Sequence, residues 1–227
     1  MSTYALIGFE ESQAVTISMR EFGVNAFSCD IKETSGIFPE FHIKSDIYRA
    51  IKSRKWDFIG LHPPCTAMTL AGNRTYGVGK PRHQDRLDAV EWTVRLWEYA
   101  TSTCDRVYME NPIGAMQKHP KLPKPYIVQP YYFGDEAQKS TCLWLHGLSP
   151  LLHSADDNLF ESKTHVDKGE FYYWTDPKTG KTKRQPLWYA QAKGFGGKQK
   201  NGDYSETRSK TFYGIAKAMA EQWSHLI

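Results

Sequence analysis

Cysteine is scarce in this 227-residue chain: four residues, Cys29, Cys65, Cys104 and Cys142, lie far apart with no Cys-x-x-Cys pair. That spacing encodes neither a zinc site nor a dense disulfide framework, so no metal is expected and the four read as thiols in a reducing compartment. Long apolar runs are lacking too. Nothing approaches the ~20 residues of a membrane span, and the opening stretch MSTYALIGFEES has neither a basic start nor an extended apolar segment. The expectation is a soluble intracellular protein, cytoplasmic or nucleoid-associated, with no signal peptide and no membrane partner. Internal repeats and low-complexity tracts are missing, which excludes repeat architectures. Neither sign of charge dominates: 29 Lys and Arg against 25 Asp and Glu leave a net charge of +4, and the pI near 8.7 permits a polyanionic partner without requiring one.

What the chain does contain is ordinary for a folded α/β domain, with 40% hydrophobic and 24% charged residues. YALIGF (4–9) reads as a strand, AVTISMREFG (14–23) as a helix ending at glycine, and NAFSCDI (25–31) as a second strand with an acid at its tip. That strand, helix, strand order begins a parallel sheet. A polar turn with Asp46 and a short basic helix then lead into WDFIGLH, a strand that stops at Pro63 and Pro64 because proline cannot donate to a ladder. In 83–102, Leu87, Val90, Val94, Leu96 and Trp97 mark a helix with one buried face. DRVYMENP (105–112) is a further strand ending in proline, and PYIVQPYYFG and STCLWLHGL read as later strands. The sequence divides into an α/β domain over 1–145, a basic aromatic lobe over 146–205 with a hairpin turn at Asp176 to Gly180, and a closing amphipathic helix in 206–227 on which Ile215, Ala218, Met219 and Trp223 share a face.

Four polar clusters fall where strands end: Glu10 with Glu11, Asp30, HPPC with Cys65, and ENP with Glu110 and Asn111. The carboxyl edge of an open α/β sheet is where ligands bind. Each cluster has a plain structural reading beside the functional one. Glu10 and Glu11 fit solvated acids at a helix start with Ser12 as the cap, or a turn that meets a nucleotide cofactor. Asp30 fits a turn cap or an acceptor for ribose hydroxyls. Cys65 fits buried packing or a thiol aimed by the stiff Pro-Pro pair, with His62 and Arg82 near in sequence. Glu110 and Asn111 fit a strand-end turn or an acid and an amide presented to the polar edge of a heterocycle.

In their order along the chain, FEES, the acid after the second strand, SDI, PPC, ENP, FGDEAQKST and the closing helix resemble the DNA cytosine C5-methyltransferase family, over Phe9 to Thr141 and again over roughly 207–223. The resemblance implies a Rossmann-like S-adenosylmethionine methyltransferase sheet with a small basic aromatic insertion in the place of a target recognition domain. It implies Cys65 as the nucleophile that adds to C6 of cytosine, and Glu110 with Asn111 beside it as the acid that contacts N3 and the exocyclic amine. S-adenosylmethionine is the implied cofactor, held by Phe9, Glu10, Glu11, Ser12, Asp30, Ile31, Asp46, Ile47 and Pro63. DNA is the implied partner, met by Gln138, Lys139, Thr141, Arg82, Lys183 and Arg184, with the target base flipped out of the duplex. The chain departs from the family at its glycine-rich turn Phe-x-Gly-x-Gly, which is here FEESQ, with Glu11 and Gln13 in the glycine places. The second arginine of the Gln-Arg-x-Arg stretch is Ser140 or Thr141, and the late Gly-Asn turn is Tyr213-Gly214.

Two rival functions remain. One keeps Cys65 and Glu110 but takes a one-carbon unit from another donor such as a folate. The other is a DNA-binding or interaction protein of the same fold without chemistry, with bases stacking on Tyr172, Tyr173, Trp174 or Trp188. A zinc deaminase is excluded because PCTAM has no second cysteine.

Overall fold

The computed structural model describes residues 2–157, 162–192, 195 and 211–227; of the expected lobe and closing segment, 158–161, 193–194 and 196–210 lie outside the described residues. The chain separates into two compact units, one of Met1–Val128, Ser140–Leu152 and Ala216–Ile227, the other of Gln129–Lys139 and His153–Ile215.

Seven strands form one mixed sheet in the first unit: β1 (Tyr4–Gly8), β2 (Asn25–Asp30), β3 (His42–Lys44), β4 (Phe58–Leu61), β5 (Val107–Pro112), β6 (Tyr126–Val128) and β7 (Thr141–His146). Their order is β3-β2-β1-β4-β5-β7-β6. The first five run parallel, and β7 is antiparallel to both β5 and β6. Ala5, Leu6 and Ile7 of β1 and Phe58, Ile59 and Leu61 of β4 have no exposed surface. Such continuous apolar runs belong to strands covered on both faces. The covering helices include α1 (Ala14–Glu21), α2 (Ile47–Lys52) and α4 (His83–Thr103); the short α3 (Asn73–Tyr76) buries no residue and packs on α4. This is an α/β Rossmann-like fold. The chain winds outward from β1 to β3 and then returns to β4 on the other side of β1, so the switch point that binds ligands in such sheets lies at the carboxyl ends of β1 and β4.

Several local expectations shift. Helix α1 ends at Glu21 and the turn is completed by Gly23 at φ 84. Leu87 is 48% exposed, because the buried face of α4 starts only at Thr93 and continues through Val94, Leu96, Trp97 and Ala100. PYIVQPYYFG is not one strand: β6 stops at Val128 and Pro130 opens a short 3-10 turn, since its ring supplies no N–H for a ladder.

Behind the site, Tyr108 is fully buried against Phe58, His62 and Trp223, with ring centroids 5.7, 5.5 and 5.4 Å away. Gly60 makes the room. A Cβ there would stand 2.6 Å from both Cζ and the hydroxyl oxygen of Tyr108. Gly60→Ala is therefore expected to cost about 1–3 kcal/mol, read as a lower urea midpoint at unchanged slope.

The second unit carries the hairpin of β8 (Phe171–Thr175) and β9 (Thr182–Pro186), followed by α5 (Leu187–Ala192). Its turn is the expected one: Gly180, at φ 65, donates its N–H to the Asp176 carbonyl at 2.8 Å. The last helix, α6 (Tyr213–Trp223), buries Ile215, Ala218, Met219 and Trp223 as its pattern requires.

Candidate active site

Parallel pairing puts the ends of β1, β2, β4 and β5 on one edge of the sheet, and with them Glu10, Asp30, the HPPC turn and ENP. Leu61 pairs with Met109, so His62 and Glu110 follow side by side on adjacent strands. Beyond that register three links tie the two segments together. Asn111, 2% exposed, donates its side-chain amide to the Pro63 carbonyl at 3.0 Å. Thr69 and Gly114 form an antiparallel bridge, and Ala115 donates to the Met68 carbonyl at 2.8 Å.

Cys65 opens a tight turn in which its carbonyl accepts from the N–H groups of Met68 and Thr69 at 2.9 and 3.0 Å. It is half-buried, whereas Cys29, Cys104 and Cys142 are buried. Burial pushes the Cys29 thiol up to about 12, helped by the carboxylates of Asp30 and Asp46. Cys142 is pushed up to about 11 by burial and by Glu110, and Cys104 is raised by burial. Those three stay protonated at neutral pH, and Cys65 is the one of the four that is not buried. Arg86 secures the segment behind it, donating to the carbonyls of Ala67 and Thr69 at 2.7 and 3.2 Å and to the Asn73 side chain at 2.7 Å. Arg82, expected to meet DNA, sits just before α4 with Asp85 at 2.7 Å and over the Tyr76 ring.

The turn after β1 departs most from sequence expectation. Ser12 does not cap α1. Gln13 holds the cap position at φ 61, and the carboxylate of Glu10 reaches back to take the orphan donors of the helix: Val15 N–H at 2.5 Å, and Thr16 N–H and hydroxyl at 3.1 and 2.5 Å. Gln13 is buried and pins the facing loop, donating to the Ser28 hydroxyl and the Phe38 carbonyl and accepting from Phe38 N–H. Glu11 faces Lys32 at 3.7 Å, while its carbonyl accepts from Ser35 and Thr34.

Glu10 is 3% exposed, and burial raises its pKa to about 7 although its bonds with Thr16 and Val15 pull the other way. From the unfolded value of 4.5 up to about 7 the folded state therefore holds the extra proton. Stability fully present below the lower value is lost as pH rises through the upper one, by up to about 3 kcal/mol. Urea titrations of the protein and of Glu10→Gln across this window are expected to show a downward slope that the variant loses.

The other residues named for a nucleotide cofactor surround the same edge. Asp30 uses one carboxylate oxygen to accept from Lys32 N–H at 2.9 Å. Next to it, Ile31 is 73% exposed, an apolar surface at a strand tip with no core to serve. Asp46 caps α2 through Tyr48 and Arg49 N–H and remains exposed. Ile47 is buried with its Cδ1 where a Cβ on Gly8 would lie, so it shapes the end of β1. Phe9, at φ 61, is half-buried edge-on to Trp92. The set fits a nucleoside: an acid and an exposed apolar side chain at β2, a second acid at α2 and an aromatic ring at β1. Two surface grooves of the first unit, about 410 Å³ beside β6 and about 240 Å³ around Trp56, contain none of these residues.

Of the residues named for DNA contact, Thr141 is buried in β7 and pairs with Pro112 and Val128. The second unit holds Gln138, whose carbonyl accepts from Trp188, and Lys139, whose ammonium lies 5.9 Å from the Phe212 ring centroid. On the hairpin Lys183 pairs with Asp176, and Arg184 lies 4.5 Å over Phe171. Tyr172 and Trp174 stack at 6.3 Å, and Tyr173 is 57% exposed.

Sheet order and edge together define a Rossmann-like protein with a half-buried thiol and a carboxylate at neighbouring strand ends. No protein-family model matches the chain, and no curated protein matches it. Solved structures do. An E. coli prophage protein described as a DNA modification methyltransferase is 14% identical at TM-score 0.40, over 63% of this chain and 46% of its own. The methyltransferase EhMeth of Entamoeba histolytica is 13% identical at TM-score 0.45, over 75% and 58%. A mutant DNMT2 of Spodoptera frugiperda is 17% identical at TM-score 0.40, over 74% and 57%. The chain thus spans about half the length of the solved structures it matches.

Proposed function

We propose that the protein is a DNA cytosine C5-methyltransferase working through a covalent adduct between Cys65 and C6 of cytosine. The observation that carries this reading is the pairing of β4 with β5, which sets the Cys65 turn beside Glu110 and locks it there through the Asn111 to Pro63 hydrogen bond.

C5 of cytosine is a weak nucleophile. The Cys65 thiolate forms a bond to C6 while Glu110 gives a proton to N3, so the ring electrons displaced by the attack reach C5. Asn111 fixes the turn that aims the sulfur. Asp30 would hold S-adenosylmethionine at the ribose, Ile31 and Phe9 at the adenine and Asp46 at its edge, and the bound cofactor would supply an electrophilic methyl group. Once C5 carries the new carbon, loss of its proton to a base, return of the N3 proton to Glu110 and departure of the thiolate restore aromaticity. These atoms are inside the stack in duplex DNA, so the base must leave it. The exposed aromatic and basic hairpin of the second unit suits stacking and phosphate contact.

A second reading is favoured by the turn after β1. Glu10 and Gln13 occupy the donors and the space that a glycine-rich turn would leave open, which suits transfer of a different one-carbon unit, such as one from a folate. One experiment separates the two. The protein is incubated with cytosine-containing DNA and either methyl-labelled S-adenosylmethionine or a labelled methylene folate. Label in DNA from the first donor supports the methyltransferase, label from the second alone replaces it, and label from neither rejects both.

A further inference from the structure

His62 stands directly before the Pro-Pro pair, and its ring lies between two groups of β5. Nε2 is 2.7 Å from the Tyr108 hydroxyl, and Nδ1 is 3.8 Å from Oε2 of Glu110. The imidazole and the carboxylate are both shielded, at 9% and 15% side-chain exposure. Tyr108 has no exposed surface, and burial, then Glu10, then Glu110 keep its pKa well above the ordinary phenol value. It therefore keeps its proton across the working range. Its hydroxyl is hydrogen-bonded to Nε2 of His62, which can accept that proton.

A phenol that donates into Nε2 leaves the neutral imidazole with its own proton on Nδ1, the nitrogen facing Glu110. We propose that His62 is a positioning residue for Glu110, held by Tyr108 in the Nδ1–H tautomer so that it donates to Oε2 and leaves the other carboxyl oxygen for N3. A carboxyl group anchored at one oxygen keeps the other in one direction, which sets the geometry of its exchange with the base. The spacing of 3.8 Å shortens by about 1 Å to make a full hydrogen bond, a tightening expected when substrate fills a site. The role assigned to the Glu110 proton rests on the cytosine reading; the tautomer assignment does not. Titratable groups that act around this pair include Glu10 on the β1 side, which acts on Tyr108, and Cys142 on β7, which is raised by Glu110.

The test uses the full chain with ¹⁵N-labelled histidine, with His62→Gln to assign the signal. The ring nitrogens of His62 are expected to report the neutral Nδ1–H tautomer, and Tyr108→Phe, which keeps the packing and removes only the hydroxyl, is expected to move the ring toward a mixture. In single-turnover trapping on 5-fluorocytosine DNA, Tyr108→Phe and His62→Gln are expected to slow adduct formation about 10- to 100-fold and to shift its pH profile, with Cys65 alkylation by iodoacetamide unchanged. An Nε2–H tautomer in the unaltered protein, or a tautomer and pH profile that Tyr108→Phe leaves in place, overturns the inference. A Tyr108-dependent Nδ1–H tautomer in a protein that forms no adduct upholds the positioning and counts against the cytosine chemistry alone.

Discussion

Replacing Cys65 by alanine is expected to lower the rate of cytosine modification by roughly 10⁴-fold or more, the scale seen when a covalent nucleophile is removed. The loss should be nearly complete because no neighbouring thiol can stand in. Cys29 and Cys142 are buried and pushed up to about 12 and 11, and Cys104 is buried and raised as well. DNA binding should survive, since the Cys65 side chain is half-buried at a turn held by its main chain, by Asn111 and by Arg86. Single-turnover rates and equilibrium binding measured on the same variant separate the two. Retention of activity would remove Cys65 from the mechanism.

Glu110→Gln should follow with a loss of about 10²- to 10⁴-fold, the range for a positioned general acid. Glutamine keeps the size of the side chain and can still meet N3 and the amine edge, but it cannot give N3 a proton. The defect should therefore fall on the rate of adduct formation more than on affinity. A Glu110→Gln protein that forms adduct at the normal rate would leave the acid role without support.

The sheet was legible because its strands announce both of their ends. Uninterrupted apolar runs such as ALI and FIGL can be buried only in the middle of a covered parallel sheet, and Pro63 and Pro112 mark where laddering stops. The clusters at the tips were legible for the same reason: polar residues that end a buried strand must emerge at the edge. What stayed hidden depends on distances the sequence does not carry. Glu10 serves α1 only because Phe9 and Gln13 both take φ 61, bending the turn back so that an acid before the helix reaches Val15 and Thr16. Residue order alone favours Ser12, the usual capping type. The His62 and Tyr108 pair depends on β4 lying next to β5 and on Gly60 leaving a gap for the ring, neither of which shows in spacing. Arg86 supports the Cys65 segment from inside the first turn of α4, while Arg82 stands just before the helix and pairs with Asp85; the first turns of that helix lack a buried face that would set its phase.

The most direct test is to trap the complex with duplex DNA carrying 5-fluorocytosine in the presence of S-adenosylmethionine, digest it, and map the cross-linked peptide by mass spectrometry. A single adduct on the peptide that contains Cys65, bearing both the fluorinated base and the transferred methyl group, is the predicted result. An adduct on Cys29, Cys104 or Cys142, or methylated DNA formed with no protein cross-link at all, would contradict the covalent Cys65 mechanism.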